Sequence, residues 1–392
     1  MMHPLGVGIN LQPSAVRELF ALGLEARLGE IGVPTRDYGF YTKKGLHIWT
    51  EPRGKHLGYH WPQYSVHRGQ LHMMLYDEVL RRCGGDAVQT GWRVTGFENE
   101  PDAAVMHLQG RDGTTRVERG SVLIGADGIH SAVRAQMVPE EGPPSWGGSI
   151  LWRGTTQAQP FLTGASMVLI GHHSRRFVSY PISPRAPETG KATINWICER
   201  SFDPKTAFRK EDYAREADPA DFLPHFEEFQ FDWLDVPALI RGADTIYEYP
   251  MVDRDPLDRW THGRVTLMGD AAHGAYPVGS NGAGAGIIDA RKLVAAFLAQ
   301  GVTGAALQAY EDEMLPETSK IVLMNRGSGP DKILDVVEDR CGGYFEDIED
   351  VIPKAEMDEH GAAYKQMAGF GVAETNARPD IVPAGARYEG AT

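Results

Sequence analysis

The sequence predicts an α/β chain with α+β insertions: a layer of strands, glycine turns and helices, and a second, mainly antiparallel sheet. Three observations carry this expectation. The first is the run Gly125-Ala126-Asp127-Gly128-Ile129-His130-Ser131, with Arg134 behind it, following the apolar residues 121–124. The second is Gly269-Asp270-Ala271-Ala272-His273, then Pro277 and Gly279-Ser280-Asn281-Gly282-Ala283-Gly284-Ala285-Gly286, following the β-rich residues 264–268. The third is a change of character over about residues 149–199, where long strand-like runs take over.

With 392 residues the chain has ample length for one large domain or two ordinary ones. Its 42% hydrophobic and 23% charged residues are ordinary for a soluble globular enzyme. A formal charge of −14 argues against nucleic acid or an anionic membrane as partner. The three cysteines, Cys83, Cys198 and Cys341, have neither a paired framework nor a metal-ligand spacing, which fits a reducing cytoplasm and no metal site. No apolar run approaches the ~20 residues of a membrane span. The opening Met1-Met2-His3-Pro4-Leu5 lacks a signal-peptide layout. Oligomeric state is left open.

The elements follow in order. Leu5-Gly6-Val7-Gly8-Ile9-Asn10 reads as a glycine-rich loop. A helix follows, with Pro13 in its first turn, an apolar face of Ala15, Val16, Leu19, Phe20 and Leu22, and its end at Gly23. Residues 38–49 are β-rich. A second helix carries His67-Arg68-Gly69-Gln70-Leu71, with Leu71, Met74, Leu75, Val79 and Leu80 on one face. Residues 92–117 alternate as a small antiparallel sheet that turns at Asp112-Gly113. Strands are expected over 150–154, 166–171, 176–182 and 192–197, and helices within 203–239, 286–299 and 307–324. These elements imply a first domain over 1–148, a substrate-binding sheet over 149–248, a return to the first domain over 249–326, and a tail over 327–392 that is helical, then irregular.

A strand that turns on glycine into a helix aims backbone N–H groups at an anion and sets a carboxylate beside a ribose hydroxyl. The two aspartate runs therefore predict a Rossmann-like site for a dinucleotide. Asp270 has an alternative reading as a helix N-cap. The glycines after it favour a ligand, because each Gly in a helix costs about 1 kcal/mol relative to Ala and close approach by a flat ring explains four of them better. Asp127-Gly128 reads equally as a turn when taken alone. Arg68 is either a solvated helix residue or a phosphate and ribose contact. His273 reads as a structural histidine rather than a proton shuttle.

These stretches resemble the two flavin fingerprints of the FAD-dependent aromatic-ring monooxygenases, the group of salicylate and p-hydroxybenzoate hydroxylases. Weaker patterns resemble the phenazine-type branch: residues 4–10, Glu51-Pro52-Arg53-Gly54, Tyr64-Ser65-Val66-His67-Arg68-Gly69, Trp152-Arg153-Gly154 and residues 249–256. The resemblance implies that Asp270 bonds a ribityl or ribose hydroxyl of FAD and that Asp127 and Gly128 lie near the pyrophosphate. It implies that Arg68 contacts phosphate or ribityl, that Pro277, Gly279, Asn281 and Gly282 run along the isoalloxazine, and that Gly6, Val7 and Gly8 border the ring from the other side. The implied reaction is reduction of the flavin by NADH or NADPH, then hydroxylation of an aromatic or heteroaromatic small molecule by O2 through a flavin C4a-hydroperoxide. The flavin carries that chemistry, so no catalytic triad is expected. Trp152, Tyr180, Trp196 and Tyr249 are candidates to line the substrate cavity, although at any one of them an ordinary core aromatic is the favoured reading.

The chain departs from the family at its start. It lacks the opening strand, G-x-G-x-x-G turn and helix, so the fold is expected to be N-terminally truncated, with apolar strand edges left open. Either the natural protein begins earlier, which is the favoured reading, or this is a fragment that binds FAD weakly. The rival function is a non-catalytic remnant that binds an aromatic ligand or a partner protein.

Overall fold

The computed structural model describes residues 6–203, 215–327, 331–367 and 371–387, with backbone only at 361 and 363–367. The chain divides into two compact units. One comprises residues 1–74, 146–251 and 328–378; the other comprises 75–145, 252–327 and 379–392. Residues 1–74 thus group with the long sheet, where the sequence reading had joined them to the cofactor-binding part.

The first unit is built on an eight-stranded sheet. Its order is Arg215–Glu216, Ile246–Asp253, Ser145–Ala158, Ala192–Ser201, Arg175–Pro181, Ser166–His172, Asp37–Tyr41, His47–Pro52. The Ser166–His172 and Asp37–Tyr41 strands pair in parallel, and the neighbours of that pair are antiparallel. Because side chains alternate along a strand, the register sorts neighbours onto two faces. Arg153 lies opposite Ile197, and Asn195 lies opposite both Thr155 and Tyr180, so these share one face. Trp152, Trp196, Cys198 and Phe177 take the other, where Phe222, Phe226 and Phe229 cover them.

The segment that supplies this cover was expected to be helical. Residues 204–214 of it lie outside the described residues. Beyond them the chain forms short 3-10 turns and two-residue strands, with one helix, Val236–Arg241. Pro219, Pro224 and Pro237 interrupt longer helices there, and the aromatics pack as an irregular plug rather than along a helical stripe.

The loop expected at the opening is also different. Gly8–Leu11 is a strand, paired antiparallel with Gln63–His67, which pairs in turn with Gly32–Thr35. Its pairing partner lies more than fifty residues away, so local glycine content could not reveal it. The following helix, Pro13–Ala21, matches expectation, with Pro at its start and Gly23 in the left-handed region behind it.

The second unit holds the parallel pair Leu123–Gly125 and Val265–Leu267 and the three-stranded antiparallel sheet Trp92–Asn99, Ala104–Gly110, Thr115–Gly120. Among the described residues its parallel sheet has these two strands only, with Leu123 and Ile124 half-buried. Helices Gly282–Gln300 and Gly304–Asn325 pack with Val133, Trp260, Val265, Leu267 and Tyr310 in one core. The first of these helices starts four residues earlier than expected and takes the glycine run into its opening turns. Tail helices occur at Lys332–Cys341, Lys354–Met367 and Val372–Ala377, and the first docks Ile333, Leu334 and Val337 on Phe40 and Leu169 of the long sheet.

Candidate cofactor and substrate site

Both aspartate motifs sit in the second unit, just beyond the carboxyl ends of its paired parallel strands, where Gly125 and Leu267 are in register. Open α/β sheets bind ligands at that edge. The two aspartates are nevertheless used differently. Asp127 accepts from the N–H groups of Ala132 (2.7 Å) and Val133 (3.4 Å) and from the Ser131 hydroxyl. Ser131 caps the same helix, Ala132–Met137, by accepting from the Arg134 N–H at 2.9 Å. Asp127 is therefore a helix-capping carboxylate. Gly128, with φ +79°, faces open space: a Cβ there would meet nothing within 4 Å.

Asp270 opens the single turn Asp270–His273, is exposed, and accepts no hydrogen bond among the described residues. Its Oδ1 lies 4.0 Å from where a Cβ on Gly282 would stand. Gly269 (φ +60°) and Gly286 also face open space. Asn281 is 5% exposed, yet neither its side-chain oxygen nor its nitrogen has a partner. Before it, Gly279 and Ser280 are both left-handed, at φ +71° and +59°.

Two residues hold this arrangement, and neither role was evident in the sequence. Arg134, 1% exposed, donates to the carbonyls of Ala271 (3.0 Å), Ala272 (2.8 Å) and Asp255 (2.9 Å) and to the Glu141 carboxylate. It ties the first motif to the second. Arg254 supports it from Ile129 O (2.7 Å) and Glu141 (2.8 Å). Asp289, fully buried on helix Gly282–Gln300, accepts from the Gly269 N–H (2.9 Å) and from His273 Nε2 (2.6 Å). Burial alone would depress the His273 imidazole; the charge and hydrogen bond of Asp289, with Asp270 beyond, outweigh it and raise its pKa. His273 is thus held by a residue of helix Gly282–Gln300.

In the first unit, Gly6 (φ +107°) abuts Arg68, and the Val7 carbonyl accepts from the Arg68 N–H at 2.9 Å. Arg68 opens helix Arg68–Cys83. Gly8 donates its N–H to Asn195 Oδ1 (2.7 Å) and accepts from Arg153 (2.8 Å). A Cβ at Gly8 would stand 2.7 Å from Asn195, so only glycine fits without movement. Of the four aromatics considered for a substrate cavity, Tyr180 and Tyr249 neighbour Arg153. Burial pushes Tyr180 up to about 12, against the pull of Arg153. Trp152 and Trp196 are a correction: they lie on the opposite, core face, where Trp152 stacks on Phe222 at 4.8 Å and Trp196 donates to Thr156 at 3.1 Å. Odd and even positions of one strand cannot line one cavity. The same alternation, applied to Trp152-Arg153-Gly154, would have pointed to Arg153.

The family model described as "FAD binding domain" matches residues 3–324. Phenazine 1,6-dicarboxylic acid hydroxylase PhzS of Lysobacter antibioticus is 43% identical over 328 residues, covering 83% of this chain and 81% of that protein. The chain belongs to the FAD-dependent aromatic-ring hydroxylases. A second relative, 3-amino-4-hydroxybenzoate 2-monooxygenase of Streptomyces cremeus, is 30% identical over 325 residues, 81% of this chain and 75% of that one. The fold is similar to that of Klebsiella pneumoniae HpxO complexed with FAD and uric acid, with a TM-score of 0.72 at 23% identity, covering 94% of this chain and 88% of that one.

The second unit's residues fit FAD on their own chemistry. A free exposed carboxylate suits a sugar hydroxyl, the bare glycine surfaces admit a flat or phosphate group, and the unpartnered Asn281 amide offers a donor and an acceptor. Among the described residues no helix is long and apolar enough to cross a membrane.

Proposed function

We propose that this hydroxylase inserts one oxygen atom from O2 into an aromatic or heteroaromatic small molecule, in the cytoplasm, with NADH or NADPH as reductant. The observation that carries this reading is the coincidence, beyond one strand edge, of a free Asp270 carboxylate, open glycine surfaces and an unpartnered, buried Asn281. Bound FAD supplies hydride acceptance and oxygen activation. The protein's part is to hold and shelter. Asp270 would bond a ribityl or ribose hydroxyl, and Gly128 and the Asp127-capped helix would receive phosphate. Pro277, Gly279, Asn281 and Gly282 would hold the ring, where the start of helix Gly282–Gln300 would stabilise negative charge by about 0.3–1 kcal/mol. From the other unit, Arg68 would contact phosphate or ribityl, and Gly6, Val7 and Gly8 would border the ring. In domain terms, the second unit is the cofactor holder, and the long sheet supplies the substrate side through Tyr180 and Tyr249.

Both curated relatives act, by their names, on aromatic acids, which supports a ring bearing a carboxylate. Membership of the family favours this enzyme over a non-catalytic remnant. The test is a flavin absorbance spectrum after supplying FAD, then NAD(P)H oxidation with a panel of aromatic acids under ¹⁸O2. One equivalent of flavin and a product one labelled oxygen heavier are expected. A folded, colourless protein under saturating FAD would refute the reading.

A further inference from the structure

The loop that leads into helix Gly282–Gln300 is held from outside. Gly279 and Ser280 are left-handed in succession, at φ +71° and +59°. The bond across that turn, from the Ser280 N–H to the Pro277 carbonyl, is 3.5 Å long. A left-handed residue other than glycine is uncommon, and such a backbone persists only where its surroundings over-determine it. The support comes from two places distant in the chain. The Arg254 N–H donates to the Gly274 carbonyl at 3.0 Å, and Asn325 Nδ2 donates to the Tyr276 carbonyl at 2.9 Å.

These two donors flank one ion pair. Arg326 grips the Asp253 carboxylate through Nε (2.6 Å) and Nη2 (3.1 Å), and Nη2 also reaches Asp255 (2.7 Å). Asp253 is fully buried at the end of strand Ile246–Asp253, and Arg326 follows helix Gly304–Asn325. The pair therefore fastens a strand end to a helix end, and the residue beside each partner reaches the loop. Arg254 does so by its backbone and Asn325 by its side chain. Asn325 is 3% exposed, and its Oδ1 has no partner among the described residues. A buried amide whose oxygen goes unused is costly if its task is only to fill space; the bond it makes goes to the loop.

We propose that Asn325, held by the Asp253–Arg326 pair, is a positioning residue for the flavin ring: it fixes the Tyr276–Asn281 backbone and, through it, the reduction potential of the bound cofactor. This rests on the hydroxylase reading above and deepens it. The start of helix Gly282–Gln300 follows the loop directly, and a helix start favours the negative charge that reduced flavin carries. Releasing the loop shifts that helix start away from the ring, and reduced FAD loses more by this than oxidised FAD does.

The experiment is the two-electron reduction potential of the FAD-loaded protein, measured against a dye of known potential, with the urea-unfolding midpoint taken in parallel. Asn325→Leu keeps the side-chain volume and removes the donor. Its affinity for reduced FAD should fall about fivefold further than its affinity for oxidised FAD, the upper end of the effect of a helix terminus. For a two-electron couple that is a fall of about 20 mV. Asn325→Gln, which keeps an amide on a longer arm, should recover part of it. Arg326→Lys, which keeps the charge and loses the fork, should lower the potential by less. Thr303→Ala removes the cap from the other end of the same helix; it should lower the unfolding midpoint and leave the potential unchanged. A potential in Asn325→Leu that is unchanged or raised overturns the proposal. So does an equal fall in Thr303→Ala, which would make the shift a general consequence of a weakened helix. Where Asn325→Leu does not fold, an unshifted potential in Arg326→Lys overturns it. A protein that binds no FAD at all refutes the hydroxylase reading, and this inference with it.

Discussion

Asp127 and Asp270 have near-identical surroundings in sequence: an apolar strand, glycine, alanine or aspartate, and a helix. Their fates in the fold are opposite. Asp127 is fully engaged in capping Ala132–Met137, whereas Asp270 is exposed and accepts nothing. A carboxylate already committed to two backbone N–H groups and a hydroxyl has little left for a ligand. The first motif's carboxylate is spent on its own helix, and the second's is left free among the described residues. The difference comes from helix geometry: Asp127 stands outside its helix with a side chain that reaches back, while Asp270 is the first residue of a single turn.

The comparison can be broken at the residue that joins the motifs. Arg134→Met leaves the carbonyls of Ala271, Ala272 and Asp255 without their arginine donor and leaves Glu141 to Arg254 alone. Removing one partner of a buried pair costs about 3–5 kcal/mol, so urea unfolding should show the largest stability loss of any variant proposed here, and FAD binding should fall with it. A midpoint within the error of the unaltered protein would show that the motifs are not coupled.

Asp270→Ala should act on the ligand and not on the fold. A hydrogen bond to a charged group contributes about 1.5–3 kcal/mol, so FAD affinity should drop about tenfold to a hundredfold in flavin-quenching titrations, with the unfolding midpoint unchanged. Asp127→Ala should show the reverse pattern. Loss of a helix cap costs about 0.5–2 kcal/mol, visible in urea unfolding, with FAD affinity changed less than for Asp270→Ala. Equal losses of FAD affinity in the two variants would erase the distinction drawn above.

Much of this site was legible in the sequence because strand, glycine and helix start are local signals. Helix Pro13–Ala21, the small sheet turning at Asp112-Gly113 and the placement of both motifs followed from them. What escaped was long-range. The Gly8–Leu11 strand exists through Gln63–His67, and the Gly8 backbone is held by Asn195 and Arg153 from far along the chain. Trp152 and Trp196 looked like cavity aromatics because composition does not say which sheet face is covered. Asp289 was hidden for a related reason. It reads as one acidic residue on a helix, and only the fold brings Gly269 and His273 to it.

That buried pair yields the smallest effect and sharpens the account of the second motif. The His273 pKa in the folded chain is raised, by the charge and hydrogen bond of Asp289 acting against burial. A raised pKa means that the folded state binds the proton more tightly than the unfolded chain does. The stability this contributes is complete below the ordinary histidine pKa of about 6.5 and is lost as pH rises through the folded value. Asp289→Asn removes the charge that holds the proton. The stability gap between the unaltered protein and this variant, measured by urea unfolding, should therefore narrow as pH is raised from 6.5 toward 9. A gap that stays constant across that range would mean that His273 is neutral throughout and that the bond to Asp289 is an ordinary one.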